Sequence, residues 1–300
     1  MLNRRQKHIL LKFFSMFSVV RGYNILAIVI AQYLTANYIL AHDLPVRQVL
    51  LDINLFLLVL ASAATIAGGY IINNFYDSEK DLINKPIKSK LDKLVSQNTK
   101  LSFYFVLNFL AVVFASYVAF NAVLFFACYI FAIWLYSHKL KKLPIVGNLV
   151  SAILTILPFF AIFMYYKNYE TVIFVHATFL FLIISMRELT KDLENIKGDL
   201  LQDYHTIPVV YGEKASKIML AFLAVLTLVP TYLLLFKYQI GYMNLYFYAS
   251  IFLLIVFVAM LWYSKDKLHY LILHNILKII LLTGVFSILL IDVSVILNRI

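Results

Sequence analysis

Charge is what this chain of 300 residues has least of: Asp, Glu, Lys and Arg make up 14% of it, against 63% hydrophobic residues. Soluble domains run near a quarter charged, so a water-soluble globule is excluded and a membrane protein is expected. Glycine and proline are scarce, at eight and six, which leaves little room for long linkers or low-complexity tracts. A single cysteine, Cys128, excludes an internal disulfide; set in an apolar run, it reads as a small packing residue. The start, MLNRRQKHILLKFF, is basic and then apolar but lacks a small-residue cleavage site, so it reads as the lead-in to a first span. The histidines show no metal-ligand grouping; His138 and His205 read as loop residues.

Apolar sequence of spanning length is abundant. Such segments fall at roughly 19–40, 49–74, 102–120, 122–138, 146–166, 170–189, 216–236, 243–263 and 272–296. The expected fold is all-α: a polytopic membrane protein with about nine transmembrane helices in a bundle, one domain over residues 1–300, with cap loops on the cytoplasmic side. Positive charge orients it. Of the Lys and Arg residues, 21 lie in the N-terminus and around the loops after the second, fourth, sixth and eighth segments, and four (Arg47, Lys167, Lys237, Arg299) in the opposite connections and the C-terminus. Cytoplasmic loops carry the excess of Lys and Arg, so the expectation is an integral protein of the cell (inner) membrane, N-terminus cytoplasmic and C-terminus outside. The net charge of +11 reads as this topology plus affinity for anionic headgroups and ligands. Spread over short loops, it does not describe a nucleic-acid surface.

The two longest loops on the basic side are also acidic, in the same way. In IINNFYDSEKDLINKP, Asn73, Asp77 and Asp81 recur at i, i+4 and i+8, within about 80° on a helix that proline ends at Pro86. In RELTKDLENIKGD, Asp192, Asn195 and Asp199 recur at i, i+3 and i+7, within about 60°, and Glu188 extends the stripe one turn earlier. Carboxylates stacked on one face repel, and each costs about 2.5–3.5 kcal/mol if carried to the bilayer centre, so a pair of such stripes calls for a ligand. Oxygen donors without His or Cys suit a hard cation such as Mg²⁺, which takes a few carboxylates and completes its shell with water and phosphate. Lys85, Lys88, Arg187, Lys191, Lys139 and Lys141 lie close enough in sequence to hold the remaining phosphate oxygens. A single acidic run at a helix end is ordinarily a solvated face; two on one side of the membrane make a phosphorylated ligand the stronger reading.

These residues resemble the UbiA-type intramembrane prenyltransferases, whose motifs read N-D-x-x-D-x-x-x-D and roughly D-x-x-D-x-x-x-D. Here they read N-N-F-Y-D-S-E-K-D (Asn73 to Asp81) and D-L-E-N-I-K-G-D (Asp192 to Asp199). V-R-G-Y-N from Val20, Y-S-H-K-L-K-K-L-P-I-V-G-N from Tyr136 and H-T-I-P-V-V-Y-G from His205 resemble further family segments. Two positions depart: Asn74 and Asn195 stand where the family usually has Asp, each keeping an oxygen donor and losing a charge, so weaker or fewer Mg²⁺ contacts are expected. Where the family tends to have R-P-x-x-S-G, the chain has I-K-S-K, which passes the arginine's role to Lys88.

The resemblance implies Mg²⁺-dependent transfer of a polyprenyl group from a prenyl diphosphate to a membrane-associated acceptor. It further implies Asn73, Asp77, Asp81, Asp192, Asn195 and Asp199 as the metal–diphosphate ligands, with Asp77, Asp81, Asp192 and Asp199 expected to be indispensable to catalysis. Lys88, Lys139 and Lys191 are the candidates for phosphate contact, and Arg21 and Asn24 for orienting the acceptor. Tyr70, Phe75 and Tyr76 are the aromatic rings nearest the site. D-L-I-N-K-P and R-E-L-T-K-D look most like the branch that prenylates geranylgeranylglyceryl phosphate in lipid biosynthesis; branches acting on quinone or haem precursors share the core motifs. A transporter or a non-catalytic lipid-binding protein is the more distant alternative. A transporter is expected to carry ionisable groups near mid-span, whereas Asp52 and Asp292 fall near the outer ends. Lys278, about two turns into the last segment, is left with no assigned role.

Overall fold

The computed structural model describes residues 3–291. Asp292, the end of the last expected segment and the C-terminus lie outside them. Among the described residues there is no strand, and nine helices are long and apolar enough to cross a membrane. The first is Gly22–Leu40, the second Ile53–Tyr76, the third Gln97–Val118, the fourth Phe120–His138 and the fifth Val146–Tyr166. The sixth is Thr171–Leu201, the seventh Ile207–Phe236, the eighth Gly241–Tyr263 and the ninth Lys267–Leu290. This is the expected all-α bundle of an integral membrane protein.

Local chemistry sets several boundaries differently from the hydropathy pattern. The lead-in forms a helix of its own, Arg4–Val19, joined to the first span at Arg21. It is tied down where Ser15 Oγ donates to the Leu91 carbonyl at 2.8 Å, while Phe13, Phe14 and Phe17 face outward. The second span starts at Ile53 because Asp52 caps it: Oδ1 accepts from the Asn54 and Leu55 amides, and Oδ2 accepts from the Tyr165 hydroxyl at 2.9 Å. Ser96 caps the third span in the same manner. The third and fourth spans divide at Ala119, which is extended, rather than near Asn121. The sixth span does not stop at residue 189. It runs unbroken through the second acidic stretch, so that stripe belongs to the spanning helix itself. The seventh begins nine residues earlier than expected and is interrupted at Gly212 (φ 82°), a backbone conformation glycine takes freely.

Four packed clusters of buried residues build the bundle, and two of them flank its cavity. Leu58, Ala61, Ala111, Ala115, Phe126 and Leu154 belong to the second to fifth spans, with alanines bringing the second and third helices close. Phe179, Ile183, Leu220, Leu234, Phe247 and Phe257 belong to the sixth to eighth spans, and the ninth closes this side. Large side chains such as Phe105, Phe109, Phe120, Phe222 and Phe252 point outward, as a lipid-facing surface requires. Between the clusters lies a cavity of about 420 Å³, lined by Tyr129 and Leu154 from one and Phe179 and Phe247 from the other.

Candidate active site

Both acidic stretches come together at one end of the bundle, over the mouth of this cavity. The second span ends at Tyr76, Asp77 breaks the helix (φ −90°, ψ 5°), and a short helix, Ser78–Asn84, carries Asp81 and packs on the sixth span. The approach is close at Gly198: a Cβ there would overlap the Asn84 side chain, whose Nδ2 donates to the Asn195 carbonyl at 3.5 Å. Glycine is required at Gly198 for this contact, which sets the spacing between the two stripes.

Each stripe is met by a lysine from another part of the chain. Lys141 Nζ lies 2.6 Å from Asp77 Oδ1 and 3.3 Å from Asn73 Oδ1. Lys80, from the first stretch, pairs with Asp199 of the second, which is fully buried and also accepts from Thr206 Oγ1 at 3.3 Å. Tyr204 lies under these groups: its hydroxyl donates to Asp77 at 2.9 Å, and the Lys80 ammonium stands 4.2 Å over its ring. Burial opposes ionisation of the Asp77 carboxyl, but the charges of Lys141 and Lys80 and the two hydrogen bonds outweigh it and hold the group below the usual carboxylate range. Burial beside Asp77 pushes the Tyr204 hydroxyl upward, so it remains a donor.

The remaining expected site residues are distributed as follows. Asp192 forms no ion pair among the described residues and lines a small polar pocket of about 20 Å³ with Lys141, Glu188 and Thr206, room for about one water or small ion. Asn195 donates to the Lys191 carbonyl at 2.7 Å, and its buried Oδ1 has no partner. Asp81 faces Lys85 at 3.7 Å. Lys191 lines the main cavity and pairs with Glu188 at 2.8 Å. Arg21 and Asn24 line the cavity around Tyr70: Asn24 Nδ2 donates to the Tyr70 hydroxyl at 3.2 Å, and the Arg21 guanidinium stands 5.0 Å over the ring. Tyr76 packs on His138 with ring centres 5.3 Å apart, and Phe75 packs edge-on against Tyr76.

Lys139 is exposed, and Lys141, two residues on, is the lysine that reaches Asp77. Lys88 faces Asp92 at 3.7 Å. Asn74 belongs to that second group: it donates to Asp92 at 2.9 Å and accepts from Lys100 at 3.0 Å, away from Asp77. Sequence spacing does not single out Tyr204, which follows the second stripe by a loop turn and carries no periodic signal; Glu188 continues the stripe and is legible as such.

The donor set suits Mg²⁺. Among the described residues no three His, Cys, Asp or Glu side chains gather closely enough to enclose a metal by themselves. Carboxylates in ones and twos around an orphaned Asn195 oxygen are what Mg²⁺ takes when substrate phosphate and water complete its shell.

The profile of the UbiA prenyltransferase family matches residues 25–270. The chain belongs to that family. It is 30% identical over 261 residues to the digeranylgeranylglyceryl phosphate synthase of Methanobrevibacter smithii, an alignment covering 83% of this chain and 87% of that one. To the synthase of the same name from Thermococcus sibiricus it is 33% identical over 210 residues, 68% and 71% of the two chains. Among solved structures, one concerned with digeranylgeranylglyceryl phosphate synthase in membranes superposes with a TM-score of 0.70 at 22% identity, over 92% of this chain and 97% of that one. A UbiA homologue from Archaeoglobus fulgidus bound to GPP and Mg²⁺ superposes with a TM-score of 0.67 at 13% identity, over 91% and 99%. At these identities the superpositions speak to the fold. The family and the named relatives make this chain a membrane-embedded prenyltransferase.

One lysine beside the candidate site titrates near pH 8. Burial lowers the Lys85 ammonium to about 8, with Asp81 opposing and Arg21, Lys191 and Lys88 adding repulsion. A lysine whose folded pKa lies below its unfolded value burdens the fold in full below about 8, and the burden is relieved as pH rises from there towards 10.5. Thermal stability in detergent is therefore expected to climb between pH 8 and pH 10, and Lys85→Met to flatten that climb. An unchanged slope in the variant would assign it to other groups.

Proposed function

We propose that this chain transfers a polyprenyl group from a prenyl diphosphate to the free hydroxyl of a glyceryl phosphate lipid, with Mg²⁺ at Asp77, Asp81, Asp192, Asn195 and Asp199. The observation that carries the reading is the placement of two facing carboxylate stripes, threaded with lysines, at the polar mouth of one largely apolar cavity. The diphosphate head belongs at that mouth and the prenyl chain between the two clusters. This orientation puts the mouth, and the N-terminus, on the cytoplasmic side, in agreement with the distribution of lysine and arginine.

The C1–O bond of the prenyl diphosphate breaks and its electron pair leaves with the diphosphate. Neutralising that charge is what bound Mg²⁺ supplies. Lys191 faces the cavity at this point and stabilises the departing anion electrostatically. The apolar walls keep water from the allylic cation, and the faces of Tyr70 and Tyr136 favour positive charge. A lone pair of the acceptor hydroxyl then forms the ether bond to C1, and its proton passes to the diphosphate.

The relatives named above favour a glyceryl phosphate acceptor over an aromatic one. Purified protein in detergent, given geranylgeranyl diphosphate and Mg²⁺, is expected to prenylate geranylgeranylglyceryl phosphate, to leave 4-hydroxybenzoate untouched, and to stop on chelation of the metal. Prenylation of 4-hydroxybenzoate alone would transfer the chain to the quinone-precursor reading. Transfer to neither would remove the acceptor assignment.

A further inference from the structure

The cations at the cavity mouth fall into two sets. Lys80, Lys141 and Lys85 each face a motif carboxylate: Asp199, Asp77 and Asp81. Arg21 and Arg187, which line the cavity, and Lys278, one turn from the lining residues Leu281 and Leu282, do not. Arg21 has no acid partner and holds a left-handed backbone (φ 51°), a strained conformation for a non-glycine residue. Arg187 gives one nitrogen to Glu188 at 3.3 Å, and its Nε is buried without a partner while the side chain lines the cavity. Lys278 has an exposed side chain with no hydrogen bond or ion pair among the described residues, and both arginines lie within electrostatic reach of it.

Acids do not balance them: Glu188 serves Lys191 as well as Arg187, and Glu194, which shares a hydrogen bond with His274 at 3.1 Å, lies within electrostatic reach of Lys278 without contacting it. Three cations facing so little negative charge repel one another until an anion arrives. Leu281 and Leu282, one turn beyond Lys278, line the cavity, and Leu282 is half exposed, so this rim opens toward lipid. An amine in a spanning helix at such an edge has a polar partner or marks a ligand.

We propose that Arg21, Arg187 and Lys278 form a second anion site that takes the phosphomonoester head of the acceptor lipid, apart from the diphosphate at the carboxylates. The proposal rests on the glyceryl phosphate reading and deepens it. A phosphate dianion suits two guanidinium groups and one ammonium, and its lipid chain leaves over Leu282. Held there, the acceptor presents its hydroxyl to the cavity while the two phosphorylated heads stay separated. A neutral acceptor would leave Lys278 without a function.

Calorimetric titration in detergent with Mg²⁺, without turnover, tests this. Lys278→Gln is expected to weaken geranylgeranylglyceryl phosphate binding about 10- to 100-fold, and Lys278→Arg to restore it to within about threefold. Geranylgeranylglycerol, lacking the phosphate, is expected to bind wild type and Lys278→Gln equally. A non-reacting thio analogue of geranylgeranyl diphosphate is expected to bind both equally as well. Equal binding of the phosphorylated acceptor to wild type and Lys278→Gln overturns the proposal, as does loss of the diphosphate analogue in the variant. Phosphatidic acid binding as tightly as the acceptor would make the site one for bulk lipid phosphate and overturn the assignment to the acceptor. Lys278-dependent binding of the acceptor without turnover would keep the anion site and reject the catalytic reading instead.

Discussion

Asp77→Asn lowers kcat/KM for prenyl transfer about 10²- to 10³-fold and raises the Mg²⁺ concentration needed for half-maximal rate, in the range found when one electrostatic contact to a developing anion is lost. The substitution keeps the shape of the side chain and an oxygen for the Tyr204 hydroxyl, which now sits 2.9 Å away. It removes the charge that Lys141 faces at 2.6 Å in a position where only 6% of that lysine's side chain is exposed. The uncompensated ammonium would then compete with a cation for the same space. Circular dichroism and elution volume should match wild type, which separates a lost ligand from a lost fold. A rate within about threefold of wild type, at any Mg²⁺ concentration, would remove Asp77 from the ligand set.

The largest effect on stability is expected away from the cleft. Asp92 is 4% exposed, accepts from Asn74 at 2.9 Å and from Ser18 at 3.4 Å, and faces Lys88 at 3.7 Å. Through Asn74 it is linked to Lys100, which is 2% exposed. Asp92→Ala leaves that buried ammonium without a counter-charge nearby and strands the Asn74 amide, a change that costs about 3–5 kcal/mol when one partner of a buried ionic group is removed. Intrinsic-fluorescence melting in detergent should show a drop of several degrees, with Asp92→Asn falling between the two. A melting temperature unchanged to within a degree would mean that water reaches Lys100. The same cluster accounts for the identity of residue 74. A carboxylate at that position would stand against Asp92, whereas an amide donates to Asp92 and accepts from Lys100 at once.

Much of this was legible in the sequence because two signals are intrinsically one-dimensional. Hydropathy over a span length and period-3.6 spacing of Asp77, Asp81, Asp192 and Asp199 need no knowledge of tertiary structure. Nine spans, and two acidic stretches at one end of the bundle, followed from them. What depends on which side chain crosses a gap did not follow. Lys139 and Lys141 are equivalent as sequence, yet the short turn Leu140–Lys142 exposes the first and aims the second at Asp77. Lys88 and Lys80 are both basic loop residues, but the separate helices Ser78–Asn84 and Pro86–Asp92 send one to Asp199 and the other to Asp92. The extent of the sixth span was hidden for a different reason. Its second half is polar because it meets the helix Ser78–Asn84 and its Lys80, so hydropathy ended the helix where hydrogen bonding did not.

The division at Ala119 bears on how such a chain enters a bilayer. One extended residue reaches about 3.5 Å, whereas the spans it joins are each about 30 Å long. Neither can be threaded without the other, and no Lys, Arg, Asp or Glu occurs between residues 101 and 138 to direct them separately. The flanking lysines, Lys93 and Lys100 before and Lys139, Lys141 and Lys142 after, all sit at the same end. During biosynthesis the orientation of these two helices is a single decision, and one of the charges that take it, Lys141, also faces Asp77.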